Sequence, residues 1–441
     1  MSDLPVNVNK HAIFTTLGCK LNQVETSQIA RIMEADGIID PDDRNSDRPR
    51  LIFVNTCCVT SKAAAKSRHV VSRLARENPG ATVIAAGCLA QLDPDSLCKI
   101  DGVDYILGTA SRFLTNWWIG KPEVPIIKVD PTVLSGQAGQ DCPAYLTDAA
   151  YLVKSRAFLK IQDGCDHHCT FCIIPKLRGP SRSASRFAVL AVARKLIEND
   201  AHEIVLTGVR IGSWGDDIGE KGGLAGLMRD IISLPGDFRI RLGSVEPWEL
   251  SQELIDLVTS NDKVCPHLHV PFQHTSPRIL ELMGRPRLSE TIGLLMNAKQ
   301  HRPDLAIGTD IIAGFPGETD ADFEQLAVTI QGLPLSYLHV FGFSPRPGTP
   351  AENLPDRVSP AIMKERVTRL IEIGKKKKND FAVSQHGRSL TVIPEHPRAD
   401  REWTMAVSEN YIKVCVKTDD TVPGIPVRVK IDSSGDYCPS R

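Results

Sequence analysis

Hydrophobic and polar positions along the chain follow two rhythms, and their alternation predicts the elements. In the first third, His11–Leu17 is an apolar run that reads as a strand. A helical period follows from Gln23 to Ala35, and Asn22 with Glu25 three residues on resembles a capping box. Leu51–Val54 reads as a second strand, and a helix is expected from near Ser61. Ala81–Ala86, after the turn Asn78-Pro79-Gly80, reads as a third strand. Strand–helix–strand–helix–strand predicts a parallel sheet, because parallel neighbours need a crossover between them.

Lys121 to Ala150 is rich in Gly, Pro and Asp and reads as a linker. A second α/β series then begins. Its expected strands are Phe158–Gln162, Glu203–Gly208, Ile240–Val245, His267–Pro271, Ala306–Ile312 and Tyr337–Phe343, with helices such as Arg186–Asn199 and Asp320–Ile330 between them. Six βα units are too few for a closed eight-fold barrel, so an incomplete (βα)6 barrel is predicted. Ala361–Lys378 reads as a helix ending in Lys375-Lys376-Lys377-Lys378, where lysines suit the helix dipole. Beyond it the period shortens to strands at Ser389–Pro394, Glu402–Ser408, Tyr411–Val416 and Pro426–Ile431, the pattern of a small β-barrel. The chain is thus expected to be α/β with three domains: 1–140 with a parallel sheet, 141–378 with the partial barrel, and 379–441 with the small β-barrel.

Composition narrows the class. With 441 residues the chain exceeds one ordinary core, and 42% apolar with 24% charged residues suits a globular protein. No apolar run of about 18 residues suggests a membrane span. Met1 to Lys10 lacks a hydrophobic signal segment, so a cytoplasmic protein without a membrane partner is expected. The net charge of −1 gives no support for nucleic-acid binding, and any basic surface must be local. Twelve cysteines are many for a reducing compartment, where ordered thiols read as metal ligands before disulfides.

Two constellations stand out. Cys19, Cys57 and Cys88 each sit just beyond one of the first three strands. Ligand sites of open α/β sheets lie at the carboxyl ends of strands, so these distant residues should converge on one edge. Nearby helix N-termini should favour their thiolates. Taken singly, each is as well read as a buried thiol. Gly164-Cys165-Asp166-His167-His168-Cys169-Thr170-Phe171-Cys172 places three cysteines at Cys-x3-Cys-x2-Cys directly after a barrel strand. Three thiolates can hold three irons of a cubane and leave the fourth open. An open iron can bind S-adenosylmethionine and deliver an electron to its sulfonium, giving a 5′-deoxyadenosyl radical. A zinc site or free thiols are the bland alternatives.

The second motif resembles the radical S-adenosylmethionine superfamily, in which the aromatic residue, here Phe171, would pack near the adenine. The order Thr16-Leu-Gly-Cys-Lys-Leu-Asn22, Asn55-Thr-Cys57, Gly87-Cys88 and then the radical motif resembles the methylthiotransferase family, from about His11 to Lys430. Gln162-Asp163-Gly164-Cys165, Arg178-Gly-Pro-Ser-Arg-Ser183 and Leu206-Thr-Gly-Val-Arg-Ile-Gly212 resemble the members acting on threonylcarbamoyladenosine in tRNA. Cys58 beside Cys57, the pair His167-His168 and Trp214 depart from the usual pattern, and Cys57 keeps the family's ligand position.

The resemblance implies two [4Fe-4S] clusters and S-adenosylmethionine as cofactors. Cys165, Cys169 and Cys172 would hold the radical cluster. Cys19, Cys57 and Cys88 would hold an auxiliary cluster carrying a sulfur species, which one S-adenosylmethionine methylates. A second S-adenosylmethionine would yield the radical that takes hydrogen from C2 of the adenosine at tRNA position 37. Gly314 in Gly314-Phe-Pro-Gly-Glu318 resembles the segment supporting S-adenosylmethionine. Thr207, Gly208, Ser244 and Glu246 end barrel strands, where barrel ligands bind, although turn or packing roles suit them as well. Implied partners are tRNA and a reductant such as flavodoxin or ferredoxin. The last module resembles TRAM, an RNA-binding barrel. With eight Lys/Arg and eight Asp/Glu from His386 to Arg441 it is not basic, and Arg178, Arg182 and Arg186 are further phosphate candidates. Cys98, Cys142, Cys265, Cys415 and Cys438 fit no spacing and read as structural. Competing targets are isopentenyladenosine in tRNA or a ribosomal-protein aspartate, and a non-catalytic iron–sulfur electron carrier is the alternative of another class.

Overall fold

A computed structural model describes residues 5–9, 12–39, 49–115, 118, 120–130, 151–152, 155–396 and 402–431. His11, Cys142, Cys438 and the expected boundary at 140/141 lie outside the described residues. The chain forms two compact units. The first comprises residues 1–151, 163–182 and 344–352; the second comprises 152–162, 183–343 and 353–441.

The first unit is built on a six-stranded sheet of β1 (Pro5–Asn9), β2 (Ala12–Thr16), β3 (Leu51–Thr56), β4 (Thr82–Gly87), β5 (Tyr105–Leu107) and β6 (Ile126–Lys128), in that order. β1 is antiparallel to β2, and the rest are parallel. β3 and β4 are buried at every position. Strands covered on both faces need unbroken apolar runs, which is why the alternating pattern is missing there. α1 (Lys20–Ala35) covers one face through Ile29 and Met33 against Phe14 and Phe53. α2 (Ser61–Glu77) covers the other through Val70, Val71 and Leu74 against Ile52, Val54 and Val83. The three expected strands are present. The linker reading fails at its start, where Ile126–Lys128 pairs with β5 as an edge strand too short to show a period. The capping box also fails: α1 begins at Lys20 behind Cys19, and Asn22 and Glu25 lie buried inside the helix. Their side chains are taken by tertiary partners instead.

In the second unit six parallel strands form an open barrel: β7 (Ala157–Lys160), β8 (Glu203–Thr207), β9 (Arg239–Leu242), β10 (His267–His269), β11 (Ala306–Ala313) and β12 (Tyr337–Gly342). β9 and β10 are joined only by the bridges Ile240–Val264 and Ser244–His269. A long helix, Pro360–Val383, packs on β12, where Gly374 lets it approach Leu338. It runs past the four lysines, which therefore sit inside the helix rather than at its end. Lys377 is not simply solvated, since it donates to the carbonyls of Gln331 (2.7 Å) and Leu333. Four antiparallel strands follow: β13 (Ser389–Pro394), β14 (Trp403–Ser408), β15 (Lys413–Lys417) and β16 (Val427–Lys430). They curl around Leu390, Val392, Ala406 and Val414 as half of a small barrel.

Buried charge fastens this half-barrel to the floor of the large one. Glu203 and Arg241 are fully buried and form a bidentate pair (2.7 and 2.9 Å), and Arg239 adds a bond at 2.8 Å. The spare guanidinium donors reach main-chain carbonyls of the half-barrel: Arg241 to Ser408 and Glu409 (2.9 and 3.0 Å), Arg239 to Thr391 (3.1 Å). The Tyr411 ring rests on His267 beneath the barrel, with Arg241 over its face. Burial works against the charge of Glu203, but Arg241 and Arg239 outweigh it and hold its carboxyl well below the usual range. A depressed native pKa contributes stability that is complete above the unfolded value and lost as pH falls through the native one. Glu203→Gln should therefore cost about 3–5 kcal/mol at neutral pH, where it strands two buried arginines. The deficit should shrink in acid. Denaturant melts of both proteins across pH test this, and equal stability at neutral pH would reject it.

Candidate active site

The first unit brings Cys19, Cys57 and Cys88 to the carboxyl ends of adjacent strands β2, β3 and β4. Cys19 is exposed, while Cys57 and Cys88 are buried. Their positions are fixed by the polar residues of the same motifs. Asn22 donates to the carbonyls of Leu17 (2.8 Å) and Thr56 (3.2 Å), tying the ends of β2 and β3. Thr56 donates to Ala86 (2.6 Å) and accepts from the Leu89 amide (3.2 Å). That bond holds α3 (Cys88–Leu92), which begins at the third cysteine. Ser67 of α2 bonds both backbone groups of Cys57. Gly18 turns the chain at φ +94°, and a Cβ there would lie 2.7 Å from Cys57 Sγ. Only glycine admits this close approach without strain.

The loop of Cys165, Cys169 and Cys172 belongs to this same unit. All three line a cavity of about 480 Å³, with His168, Lys176 and Gly348. Gly164, at φ +72°, lets the loop lie against the Pro180 carbonyl, which a Cβ would meet at 1.8 Å. The Cys165 amide donates to the Gly179 carbonyl (3.1 Å), closing the loop through α4 (Ile174–Arg178). Phe171 is half-buried beside Cys172.

Arg178, at the end of α4, joins the two cysteine sites and was missed as an organiser by sequence reasoning. It is fully buried, donates to both carboxylate oxygens of Glu25 (2.9 and 3.0 Å) and reaches Asp163 (3.0 Å) and Asn22 Oδ1 (2.9 Å). Glu25 is also bonded by buried Arg112, which holds Asn55 (2.7 Å). Burial opposes the charge of Arg178, and Glu25 with Asp163 reverses the balance and raises its pKa well above the ordinary value. A buried arginine with both terminal nitrogens engaged in this way does not face a phosphate, so the RNA expectation for Arg178 is corrected. Arg186 is likewise spent on Glu220 (3.0 Å) and Asp230, and Arg182 on the carbonyls of Arg178 and Pro180.

At Cys57 and Cys88 the expected lowering of the thiol pKa is overturned as well. Burial pushes Cys57 up to about 12, the neighbouring Cys88 adds to the rise, and Arg178 offsets only part. Cys88 is raised by burial too. Cys58 is fully buried and shifted upward for the same reason. Removal from water is the largest effect on each of these thiols. Such thiols are held protonated until a metal displaces the proton. The donor sets fit iron–sulfur groups: three thiols at one sheet edge beside a buried cation, and three lining one cavity.

The remaining candidates lie on the second unit. Thr207 and Gly208 end β8, and Gly208 abuts the Gln162 carbonyl with no room for a side chain. Ser244 bridges to His269 beyond β9. Glu246 accepts from Arg285 (2.6 Å). It also forms a capping box with Glu249, whose buried carboxyl is pushed up to about 7 by burial, against the pull of Arg210. Gly314, at φ +75°, donates to Glu318 (3.0 Å), which Arg366 holds (2.6 Å). The repeated Glu at a three-residue interval was the visible signal for Glu249.

Two family models match the chain. Residues 11–108 match the family described as "Uncharacterized protein family UPF0004", and 159–330 match the Radical SAM superfamily. The chain is 35% identical over 432 residues to "Threonylcarbamoyladenosine tRNA methylthiotransferase MtaB" of Bacillus subtilis, covering 96% of this chain and 94% of the relative. The chain belongs to the methylthiotransferase family of radical S-adenosylmethionine enzymes. Another relative, "Ribosomal protein uS12 methylthiotransferase RimO" of Chloroflexus aurantiacus, is 34% identical over 372 residues, 81% of each chain. In fold, the radical S-adenosylmethionine methyltransferase TsrM from Kitasatospora setae is similar at a TM-score of 0.50 and 17% identity, over 75% of this chain and 70% of that one.

In this methylthiotransferase the Arg178 network is expected to set the stability of the cysteine-bearing unit. Arg178→Ala takes the buried cation from Asp163 and leaves Glu25 to Arg112 alone, and should cost about 3–5 kcal/mol. Thermal melts of the full chain provide the measurement, and an unchanged melting temperature would remove Arg178 from this role.

Proposed function

We propose that the chain methylthiolates C2 of N6-threonylcarbamoyladenosine at position 37 of tRNA. The reading is carried by the near full-length match to MtaB, together with two separate three-cysteine sets. Cys165, Cys169 and Cys172 are proposed to hold a [4Fe-4S] cluster with one open iron, and Cys19, Cys57 and Cys88 a second one. Bound there, the first cluster supplies reductive cleavage of S-adenosylmethionine and the second supplies the sulfur.

The protein's own part is positioning. Burial of Cys57 and Cys88 keeps water from their sulfurs. Asn22, Asn55 and Thr56 fix the spacing of the strand ends. Phe171 is assigned to the adenine of S-adenosylmethionine, and Thr207, Gly208, Ser244, Glu246 and Gly314 to holding that cofactor. Functional modules are read as 1–140, 141–378 and 379–441. We assign the protein to the cytoplasm with a flavodoxin- or ferredoxin-type reductant, and no helix among the described residues is long and apolar enough to cross a membrane.

The half-barrel is read as the RNA-positioning module. Val414, Val416, Val427 and Val429 turn inward to its core, and Lys413, Lys417, Arg428 and Lys430 alternate with them and are exposed. A face basic by alternation supports phosphate contact even where the module's net charge is near zero.

The decisive assay uses anaerobically reconstituted enzyme, reductant and tRNA, with nucleosides and 5′-deoxyadenosine read by mass spectrometry. Cys57→Ala should form 5′-deoxyadenosine but no methylthio product, Cys169→Ala neither, and Cys58→Ala both. Full methylthiolation by Cys57→Ala would remove it from the ligand set. Product on isopentenyladenosine alone, or on the ribosomal protein, would replace the substrate.

Lys413→Ala with Arg428→Ala and Lys430→Ala should weaken tRNA binding and flatten its salt dependence, leaving 5′-deoxyadenosine formation intact. Unchanged affinity would remove the module from RNA binding.

A further inference from the structure

A further donor set, with no cysteine in it, lies on the strands of the large barrel. His269 ends β10, Asp310 lies in the middle of β11 and His339 in β12. The register sets them side by side, because His269 pairs with Gly308, and Asp310 with His339. Residues two apart on a strand share a face, so one surface of three adjacent strands carries all three groups. That surface faces away from the long helix Pro360–Val383, whose Gly374 packs against Leu338, the neighbour of His339 on the opposite face.

The side chains converge. His269 Nε2 and His339 Nδ1 each lie 3.0 Å from the same oxygen, Asp310 Oδ1. One ligand atom from each residue falls within 4.8 Å of the other two. The set is supported from behind. Tyr337 Oη lies 3.1 Å from His269 Nδ1 and 2.8 Å from His267 Nε2, so the second nitrogen of the ligating ring has a partner. Such outer bonds fix the ring and its tautomer in metal sites. Tyr337 has room for this because Gly308 is opposite: a Cβ there would lie 2.0 Å from its ring. His339 remains 47% exposed and Asp310 24%, so the site has an entry path and space for further ligands.

We propose that His269, Asp310 and His339 bind one divalent transition-metal ion. Two imidazoles and one carboxylate on rigid strands suit zinc or ferrous iron, which accept nitrogen donors. They do not suit magnesium or calcium, which take oxygen. Three protein ligands leave at least one position open to water or to a ligand in the barrel. The site uses no cysteine, so its occupancy is separable from that of either thiol set.

The test uses the full chain with its clusters reconstituted, dialysed against micromolar zinc in millimolar magnesium, with metals counted by mass spectrometry. Wild-type protein should retain about one zinc per chain more than His339→Ala, with iron equal in both. His269→Ala should lose the same zinc, and His339→Ala, altering a half-exposed residue, carries the test if that variant fails to fold. Equal zinc in wild type and His339→Ala, or displacement of the zinc by magnesium, would overturn the site.

Discussion

The arrangement of the cysteine-bearing unit depends on one buried ion cluster. Arg178 and Arg112 close on Glu25, and Arg178 also holds Asp163 and Asn22. Glu25 stands one and a half turns into the helix that Cys19 opens, and Asp163 stands two residues before Cys165. A carboxylate inside a protein must be matched by a cation in good geometry, or the interior expels it. The two cysteine loops therefore cannot be relaxed independently, since moving either one leaves a charge without its counterpart. The same guanidinium lies close enough to Cys57 and Cys88 to favour their charged forms, against the larger effect of burial. A structural tie and a local source of positive potential are thus one residue.

Much of this was legible in the chain. The six barrel strands, the three parallel strands and the strand-end placement of Cys19, Cys57 and Cys88 follow from period and spacing, because those signals are local. What escaped was whatever depends on a distant partner. Asn22 and Glu25 match a helix-cap pattern on paper, yet their side chains go to Leu17, Thr56 and two arginines. Arg178 and Arg186 look like phosphate ligands in sequence because a charged residue is assumed to face water. Thiol acidity was misjudged for a related reason: the helix terminus is visible in sequence and the depth of burial is not. The three ends of the His269, Asp310 and His339 set are separated by long stretches and share no motif, so only strand register joins them.

The two barrels of the second unit meet through a different use of arginine. Beneath the large barrel Arg241 and Arg239 neutralise Glu203 and also donate to carbonyl oxygens of Ser408, Glu409 and Thr391. This also explains why the half-barrel belongs to the same compact unit as the strands above it.

Carbonyl groups are the same whatever side chain they carry. Where the dock is read through main-chain oxygens it is blind to the side chains of Ser408 and Thr391 and follows the path of the backbone, and Tyr411 is the residue it holds by its ring. The half-barrel can therefore change its outward residues over generations without renegotiating its attachment, whereas Glu203, Arg239 and Arg241 have no such freedom. The molecule separates, in one contact, a part that can drift toward new surfaces from a part that must stay as it is.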